Sequence, residues 1–256
     1  MNLFLYLIIF IIGTFFGSFF TLAVYRIPRK EDILIKHSYC PNCNHKLGFF
    51  DLFPILSYLL LGGKCRYCEN KIRPRYLILE FLSGITFLII AITSKLNILS
   101  LESCINLAFL LIYISVLFII AGIDKENSFI DKNVLLFGFV AQILYIIYQY
   151  TLRTLSVYQY VIYLIVFIIG FYILKISINN NKKSKYLIQV FALLLYIIIY
   201  SGVLKFLFTL MLTLIIMTIY EKIKNKKDVK TTIGFYLTIS NIIIIITSNT
   251  IINYII

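Results

Sequence analysis

The chain has 256 residues, of which 61% are hydrophobic and 14% charged, and its formal net charge is +13. A soluble domain is typically about 45–50% apolar and about 25% charged. This composition therefore excludes a soluble globular protein and predicts an all-α polytopic membrane protein. The 11 glycines and 4 prolines are also too few for a linker-rich or disordered chain.

Apolar stretches long enough to cross a bilayer recur along the chain. The first, 3–24, carries no charge, is too long for the core of a signal peptide and precedes no small-residue cleavage site. Further stretches follow at 77–94, 105–123, 133–151, 158–177, 186–204, 206–220 and 233–255. A helix needs about 20 apolar residues to cross the hydrocarbon, so the sequence predicts about eight transmembrane helices.

The cationic residues are distributed unevenly between the connections. The alternate connections 26–75, 124–132, 175–185 and 222–230 carry 21 of the 24 Lys and Arg residues. Only Lys95, Arg153 and Lys205 fall on the opposite side. Positive charge accumulates on the cytoplasmic side, so we predict that both termini lie outside. The net positive charge is then explained by topology and by attraction to the lipid bilayer. We expect no nucleic-acid partner, because no soluble basic domain carries this charge.

One large polar segment divides the chain into three predicted parts. Residues 1–25 form the first transmembrane helix, 26–75 form a small cytoplasmic loop domain, and 76–256 form a helical membrane domain.

The polar loop contains two cysteine pairs, Cys40-Pro-Asn-Cys43 and Cys65-Arg-Tyr-Cys68, separated by 21 residues. Two such pairs in a short polar segment are typical of a four-cysteine zinc site. Disulfides are disfavoured in a reducing cytoplasm. We therefore predict that Cys40, Cys43, Cys65 and Cys68 bind a structural zinc ion; four free cysteines are the alternative. A site closed by four thiolates leaves no position for substrate, so the metal is expected to stabilise the loop.

Three other side chains could bind metal. His37 and His45 flank the first pair, and with four cysteines available we interpret both as solvated loop histidines. Cys104 lies near a helix start on the predicted outer side and is interpreted as a small packing residue.

The apolar stretch 51–62 is too short to span a membrane and is compatible with an interfacial position.

A succession of uncommon residues lies between positions 13 and 80. In chain order it reads Gly13, Gly17-Ser18-Phe19, Tyr25-Arg26-Ile27-Pro28, Ser38-Tyr39-Cys40-Pro41-Asn42-Cys43, Asp51-Leu52-Phe53-Pro54-Ile55-Leu56-Ser57-Tyr58, Gly63-Lys64-Cys65-Arg66-Tyr67-Cys68 and Arg75-Tyr76-Leu77-Ile78-Leu79-Glu80. These residues resemble the N-terminal region of bacterial type IV prepilin peptidases. The strong part of the resemblance covers about a quarter of the chain, and the remainder matches in layout.

The resemblance implies an aspartic endopeptidase of the bacterial inner (plasma) membrane. Such an enzyme removes a short basic leader from prepilins and pseudopilins at the cytoplasmic face, and many members then methylate the new N-terminal residue with S-adenosylmethionine. Two aspartates perform the hydrolysis, one after the third helix and one in a Gly-x-Gly-Asp motif that opens the sixth. One carboxylate acts as base toward water and the other as acid toward the scissile carbonyl.

The chain has five aspartates: Asp32, Asp51, Asp124, Asp131 and Asp228. Asp124 follows the apolar run 105–123 and matches the family's first catalytic aspartate. An ionisable group at a membrane boundary is a functional hypothesis by default; the alternative is an ordinary interfacial carboxylate beside Lys125. Asp131 lacks the family's preceding proline and its spacing, so we predict that it caps the next helix.

The second catalytic position departs from the family pattern. The connection Asn179-Asn180-Asn181-Lys182-Lys183-Ser184-Lys185-Tyr186 contains neither Gly-x-Gly-Asp nor any carboxylate. Ser184 or a neighbour takes the place of the aspartate, and a serine cannot be the acid of such a dyad. Asp228, before the last predicted helix, is the candidate replacement, and Glu126 and Glu221 are further candidates.

Three hypotheses follow from the sequence. The first is a prepilin leader peptidase whose partners are prepilin or pseudopilin precursors. The second is a catalytically degenerate relative that acts as a zinc-bearing membrane scaffold for pilins. The third is a small transporter, which would need intramembrane polar sites on broken helices.

Overall fold

A computed structural model describes residues 3–255 except 34, 95, 98, 153–156, 159, 166–167, 169–171, 173–181 and 224–231. The chain divides into two compact units, Met1–Leu107 and Ala108–Ile256. The three parts predicted from the sequence have other boundaries and stay a prediction.

The described residues are almost entirely helical. The helices are α1 (Leu3–Arg26), α2 (Leu56–Leu60), α3 (Arg75–Thr93), α4 (Leu101–Asn127), α5 (Lys132–Thr151), α6 (Lys182–Ile223) and α7 (Ile233–Ile255). Two isolated antiparallel bridges, Tyr39 with Lys46 and Lys64 with Lys71, are the only β pairing among these residues. The predicted all-α membrane fold is confirmed, since six of these helices are long and apolar enough to cross a bilayer.

The number of spans differs from the predicted eight for two reasons. The stretch predicted at 158–177 lies largely outside the described residues. The stretches predicted at 186–204 and 206–220 both fall within one long helix, α6. Its 42 residues contain a break at Gly202. Gly202 has φ 75° and ψ 169°, which is outside the helical region. Because 42 helical residues would extend about 63 Å and the hydrocarbon is about 30 Å thick, this interruption divides α6 into two lengths that can each span.

In the first unit, α1 and α3 approach each other backbone to backbone. A Cβ at Gly13 would lie 2.9 Å from the Cα of Gly84, and a Cβ at Gly17 would lie 2.6 Å from the Cα of Glu80. Ser83 strengthens the contact by donating from Oγ to the carbonyl of Gly13 at 2.8 Å. Small residues permit such close packing between membrane helices, so this face of α1 specifies its neighbour.

In the second unit, polar side chains connect helices across an apolar interior. The Tyr113 hydroxyl donates to Asn241 Oδ1 at 2.7 Å, and Asn241 Nδ2 donates to Thr209 Oγ1 at 3.1 Å. The ring of Tyr113 stacks on that of Tyr200 at 3.9 Å. Hydrogen bonds between membrane helices satisfy groups that lipid cannot, so these contacts hold α4, α6 and α7 in register.

Candidate metal centre and candidate active site

The two cysteine pairs lie in turns of the same construction. The amides of Cys40 and Cys65 each donate to the carbonyl five residues later, at 3.0 and 2.9 Å. The fourth residue after each cysteine, Asn44 or Glu69, has a positive φ of 57° or 55°. Its amide donates back to the cysteine carbonyl at 2.9 Å in both turns. The loop therefore contains a structural repeat that presents two thiols from each turn.

The four predicted metal ligands come together at one point. The sulfurs of Cys40, Cys43, Cys65 and Cys68 all lie within 4.8 Å of one another. Those of Cys40 and Cys68 are 3.8 Å apart, the separation of two corners of a tetrahedron with metal–sulfur bonds of about 2.3 Å. A hydrogen bond from the Asn70 amide lowers the pKa of the Cys68 thiol to about 7. A hydrogen bond from the His45 amide lowers the pKa of the Cys43 thiol, but desolvation and the thiols of Cys68 and Cys40 outweigh it and raise that pKa to about 11. The donor set fits a tetrahedral metal ion.

The two loop histidines lie outside this sulfur cluster. The imidazole of His45 is exposed and stacks on the ring of Tyr67 at 3.6 Å. His37 contributes its backbone carbonyl, which accepts a hydrogen bond from the Arg26 guanidinium at 2.8 Å. Neither imidazole belongs to the group of possible ligands found among the described residues, in keeping with the sequence interpretation.

Arg26 anchors the loop where the first helix ends. Its side chain is buried, and it also donates to the carbonyls of Asp32 and Lys36 at 2.9 and 2.7 Å. A planar guanidinium satisfies several carbonyls at once. The positive-inside pattern accounts for a cation at this position but does not reveal that it orders the loop.

Asp124 is the centre of the second site. Its side chain is fully buried near the end of α4. Oδ2 accepts hydrogen bonds from the Phe235 amide at 2.9 Å and the Tyr186 hydroxyl at 3.0 Å. Oδ1 is also buried and accepts no hydrogen bond from any described residue. One carboxylate oxygen is thus held in place while the other has its lone pairs available.

The first turn of α7 supplies the electrostatic complement of this carboxylate. The amide of Gly234 donates to the Tyr186 hydroxyl at 3.3 Å, so Tyr186 accepts from α7 and donates to Asp124. Helix N-terminal amides have no intrahelical acceptor and favour a negative charge. A Cβ on Gly234 would lie 3.0 Å from Asp124 Oδ2. A glycine at this position lets the amides approach the carboxylate.

The neighbouring cation, Lys125, does not pair with Asp124. The Lys125 ammonium lies over the ring of Phe235, 4.6 Å from its centroid, and no salt bridge to Asp124 occurs among the described residues. Asp131 caps α5, as predicted, by accepting from the amides of Asn133 and Val134 at 2.8 and 3.1 Å. These two aspartates therefore have different surroundings.

Two further candidates for the second acidic position, Glu126 and Glu221, are exposed in the last turns of α4 and α6. Asp228 lies outside the described residues, and the side chain of Ser184 does as well. Tyr186 and Gly234 were not singled out as functional from the sequence. With 20 tyrosines in the chain, nothing local distinguishes Tyr186, and its contact with Asp124 joins positions 62 residues apart.

Fold and sites together define a multi-pass α-helical membrane protein with a four-cysteine loop and a buried carboxylate near the end of a span. Residues 11–94 match the family model described as "Bacterial Peptidase A24 N-terminal domain". This match covers about a third of the chain and agrees with the resemblance drawn from the motifs between positions 13 and 80.

Curated relatives extend the comparison. The chain is 43% identical over 97 residues to the prepilin leader peptidase/N-methyltransferase of Vibrio cholerae serotype O1, covering 34% of this chain and 37% of the relative. It is 32% identical over 130 residues to the protein of that name from Bacillus subtilis, covering 51% and 50%. For the Neisseria gonorrhoeae protein the values are 31% over 150 residues, covering 49% and 50%. The chain thus spans half or less of the length of these three relatives. No solved structure gives a significant match.

Proposed function

We propose that the protein is a prepilin leader peptidase of the bacterial inner membrane, an aspartic endopeptidase acting on type IV pilin-like precursors. The observation that carries the proposal is the buried Asp124 carboxylate, whose Oδ2 is held by two donors and whose Oδ1 accepts no hydrogen bond from the described residues. Hydrolysis needs a carboxylate oriented by fixed donors and able to take a proton from water. The names of the curated relatives support the same activity.

In this reaction Asp124 acts as the base. Oδ1 takes a proton from the attacking water, while the Phe235 amide and the Tyr186 hydroxyl fix Oδ2. The water oxygen bonds to the scissile carbonyl carbon while a second carboxylic acid gives its proton to the carbonyl oxygen. The peptide bond then breaks as the proton taken by Asp124 passes to the leaving nitrogen, and the second carboxylate regains a proton from a hydroxyl of the tetrahedral intermediate. We assign the second acid to Asp228, which precedes the last helix on the predicted cytoplasmic side.

The proposal has three further parts. The four-cysteine loop holds a structural zinc ion, and it faces the cytoplasm, as the 21-to-3 distribution of cations indicates. The released N-terminus is methylated with S-adenosylmethionine as the methyl-donor substrate. The N-methyltransferase names of the relatives support that step.

Co-expression with a prepilin from the same organism tests the proposal. Leader removal is followed by mass spectrometry for the wild type, Asp124→Asn and Asp228→Asn, with labelled S-adenosylmethionine added to report methylation. Asp131→Asn is the matched control, because asparagine caps a helix as well as aspartate does. We expect cleavage by the wild type and the control and none by the two test variants.

One sequence observation favours a second candidate, a scaffold that binds pilins without cleaving them. The connection 179–186 carries no carboxylate where the family has its second aspartate. A wild-type protein that binds a co-resident prepilin but leaves its leader intact would establish the scaffold. Normal cleavage by Asp228→Asn, with Asp124→Asn inactive, would remove Asp228 from the mechanism and leave the peptidase standing.

A further inference from the structure

An apolar segment projects from the four-cysteine loop, and we call residues 49–60 the finger. It consists of a 3₁₀ turn, Phe49–Asp51, and the short helix α2. Its large side chains are exposed: Phe49 71%, Phe50 79%, Leu59 59% and Leu60 85%. Apolar side chains this exposed and this close together mark a surface that contacts something other than water.

Contacts with the membrane helices place the finger at bilayer depth. The Ile55 amide donates to Glu80 Oε2 at 2.8 Å, and Glu80 lies five residues, or about 7.5 Å, along α3 from Arg75. The ring of Phe53 packs edge to face on that of Phe15, with the centroids 5.5 Å apart. Amphipathic segments at an interface bury their apolar face about 5–10 Å below the headgroups. The base of the finger therefore lies beside the two spanning helices, near the start of α3 and the middle of α1.

The exposed surface of the finger carries no net charge. Its one charged residue, Asp51, has a side chain only 6% exposed and bonds to Arg66 Nε at 2.7 Å. Asp51 also accepts from the Tyr67 hydroxyl at 3.1 Å. The carboxylate is turned toward the cysteine loop, where exposed Lys64 and Lys71 can face anionic headgroups.

The turn at the base of the finger is held in an unfavourable conformation. Ile55 has φ 64°, a region that β-branched residues rarely adopt. The Glu80 carboxylate satisfies its amide there, and the neighbouring Pro54 is buried. These contacts stabilise a bend at Ile55 that directs the chain away from α1 and α3.

We propose that the finger inserts its phenylalanine and leucine side chains into the interfacial acyl region of the bilayer and tethers the four-cysteine loop to the membrane surface. The occupant is lipid because the exposed side chains continue the apolar surface of α1, where Phe15, Phe16 and Phe19 are 43%, 46% and 42% exposed. An open cavity of about 240 Å³ between the finger and α1 is lined largely by aromatic and aliphatic side chains, Phe15, Phe19, Phe49 and Phe53 among them. This inference does not depend on the catalytic proposal.

The absence of tryptophan from the chain permits a direct test. Phe50→Trp and Leu60→Trp are each made in the full-length protein and reconstituted in vesicles of phosphatidylethanolamine and phosphatidylglycerol. Brominated acyl chains report contact with lipid by quenching the fluorescence, and acrylamide reports contact with water. Leu7→Trp, on the exposed face of α1, is the lipid reference, and Asn42→Trp, exposed on the first cysteine turn, is the water reference.

We expect Phe50→Trp and Leu60→Trp to emit at shorter wavelength than Asn42→Trp and to be quenched by brominated lipid as Leu7→Trp is. Emission like that of Asn42→Trp, with quenching by acrylamide alone, would overturn the proposal. Protection that develops only when a prepilin is added would overturn it as well, because the surface would then belong to a protein partner.

Discussion

Both units of this protein use a glycine to bring groups unusually close, but the groups differ. In the first unit, Gly17 lets α1 approach α3, where it meets the Ser83 hydroxyl and the backbone of Glu80. In the second unit, Gly234 lets the first turn of α7 approach a carboxylate, Asp124. The first contact fixes two helices against each other, whereas the second creates an electrostatic environment. The group that a glycine allows to come close, more than the glycine itself, distinguishes a structural position from a functional one.

The largest expected effect is the loss of the sulfur cluster. Cys65→Ser removes one of four ligands, and structural zinc contributes on the order of 10 kcal/mol to small metal-bound folds. We expect one metal ion per chain in the wild type and none in the variant, measured by elemental mass spectrometry of the purified protein. Cys104→Ser, outside the cluster, should retain its metal. A metal-free wild type would contradict the prediction.

Gly17→Ala should disrupt the first unit next most strongly. Its Cβ would lie 2.0 Å from Ser83 Oγ and 2.6 Å from the Cα of Glu80, and backbone cannot move aside cheaply. Overpacking of this kind costs about 1–3 kcal/mol or more, so the thermal unfolding midpoint in detergent should fall. Gly48→Ala is the control, since its nearest neighbour would be 3.5 Å away. Equal midpoints for the two variants would show that α1 and α3 are not packed so closely.

The sequence predicts more of the first unit than of the second. In the first, four cysteines at fixed spacing predict the sulfur cluster, because that signal is local. In the second, Asp124 is recognisable from its place after an apolar run. Its partners are not recognisable, since Tyr186 is one of many tyrosines and the Phe235 contribution is a backbone amide 111 residues away.

The break in α6 lies three residues before the predicted connection, for a related reason. Lys205 is the charged residue that suggests a connection between 186–204 and 206–220, yet the helix is interrupted at Gly202, where φ is positive. A glycine tolerates that conformation at little steric cost, while a lysine near a helix end can extend its charge toward the interface. Backbone freedom, and not charge, sets the position of this break.

Gly234→Ala tests the functional side of the comparison. The added Cβ would lie 3.0 Å from Asp124 Oδ2 and from Ile130 Cδ1, so the carboxylate must move by some tenths of an ångström. Small misplacements of a catalytic group can cost up to about 100-fold, and we expect leader cleavage to fall about 10- to 100-fold with little change in the unfolding midpoint. If stability falls as much as it does for Gly17→Ala, the distinction between the two glycines fails.

Tyr186→Phe removes a single hydrogen bond to the same carboxylate. Hydrogen bonds to charged groups contribute about 1.5–3 kcal/mol, so we expect cleavage to slow by roughly 10-fold or more, with kcat falling while KM is kept. Tyr158→Phe, whose side chain is 74% exposed, is the matched control. An unchanged kcat in Tyr186→Phe would mean that Oδ2 does not need this donor.

The smallest effect is expected for the ion pair that turns Asp51 away from lipid. Burial alone would raise the pKa of Asp51, but the Gly48 amide, Arg66 and Tyr67 together hold it below its usual value. A lowered carboxylate pKa stabilises the fold at every pH above the unfolded value of about 3.9 and loses that effect as the pH falls through the folded value. The coupling between Asp51→Asn and Arg66→Gln in a double-mutant cycle should therefore stay constant between about pH 6 and 8. Because the Arg66 side chain is 51% exposed, we expect a coupling of only about 1 kcal/mol, reduced by added salt. A coupling that vanishes at the lower end of this range would show that Asp51 is not held as a carboxylate, and the finger would then need another means of hiding its charge.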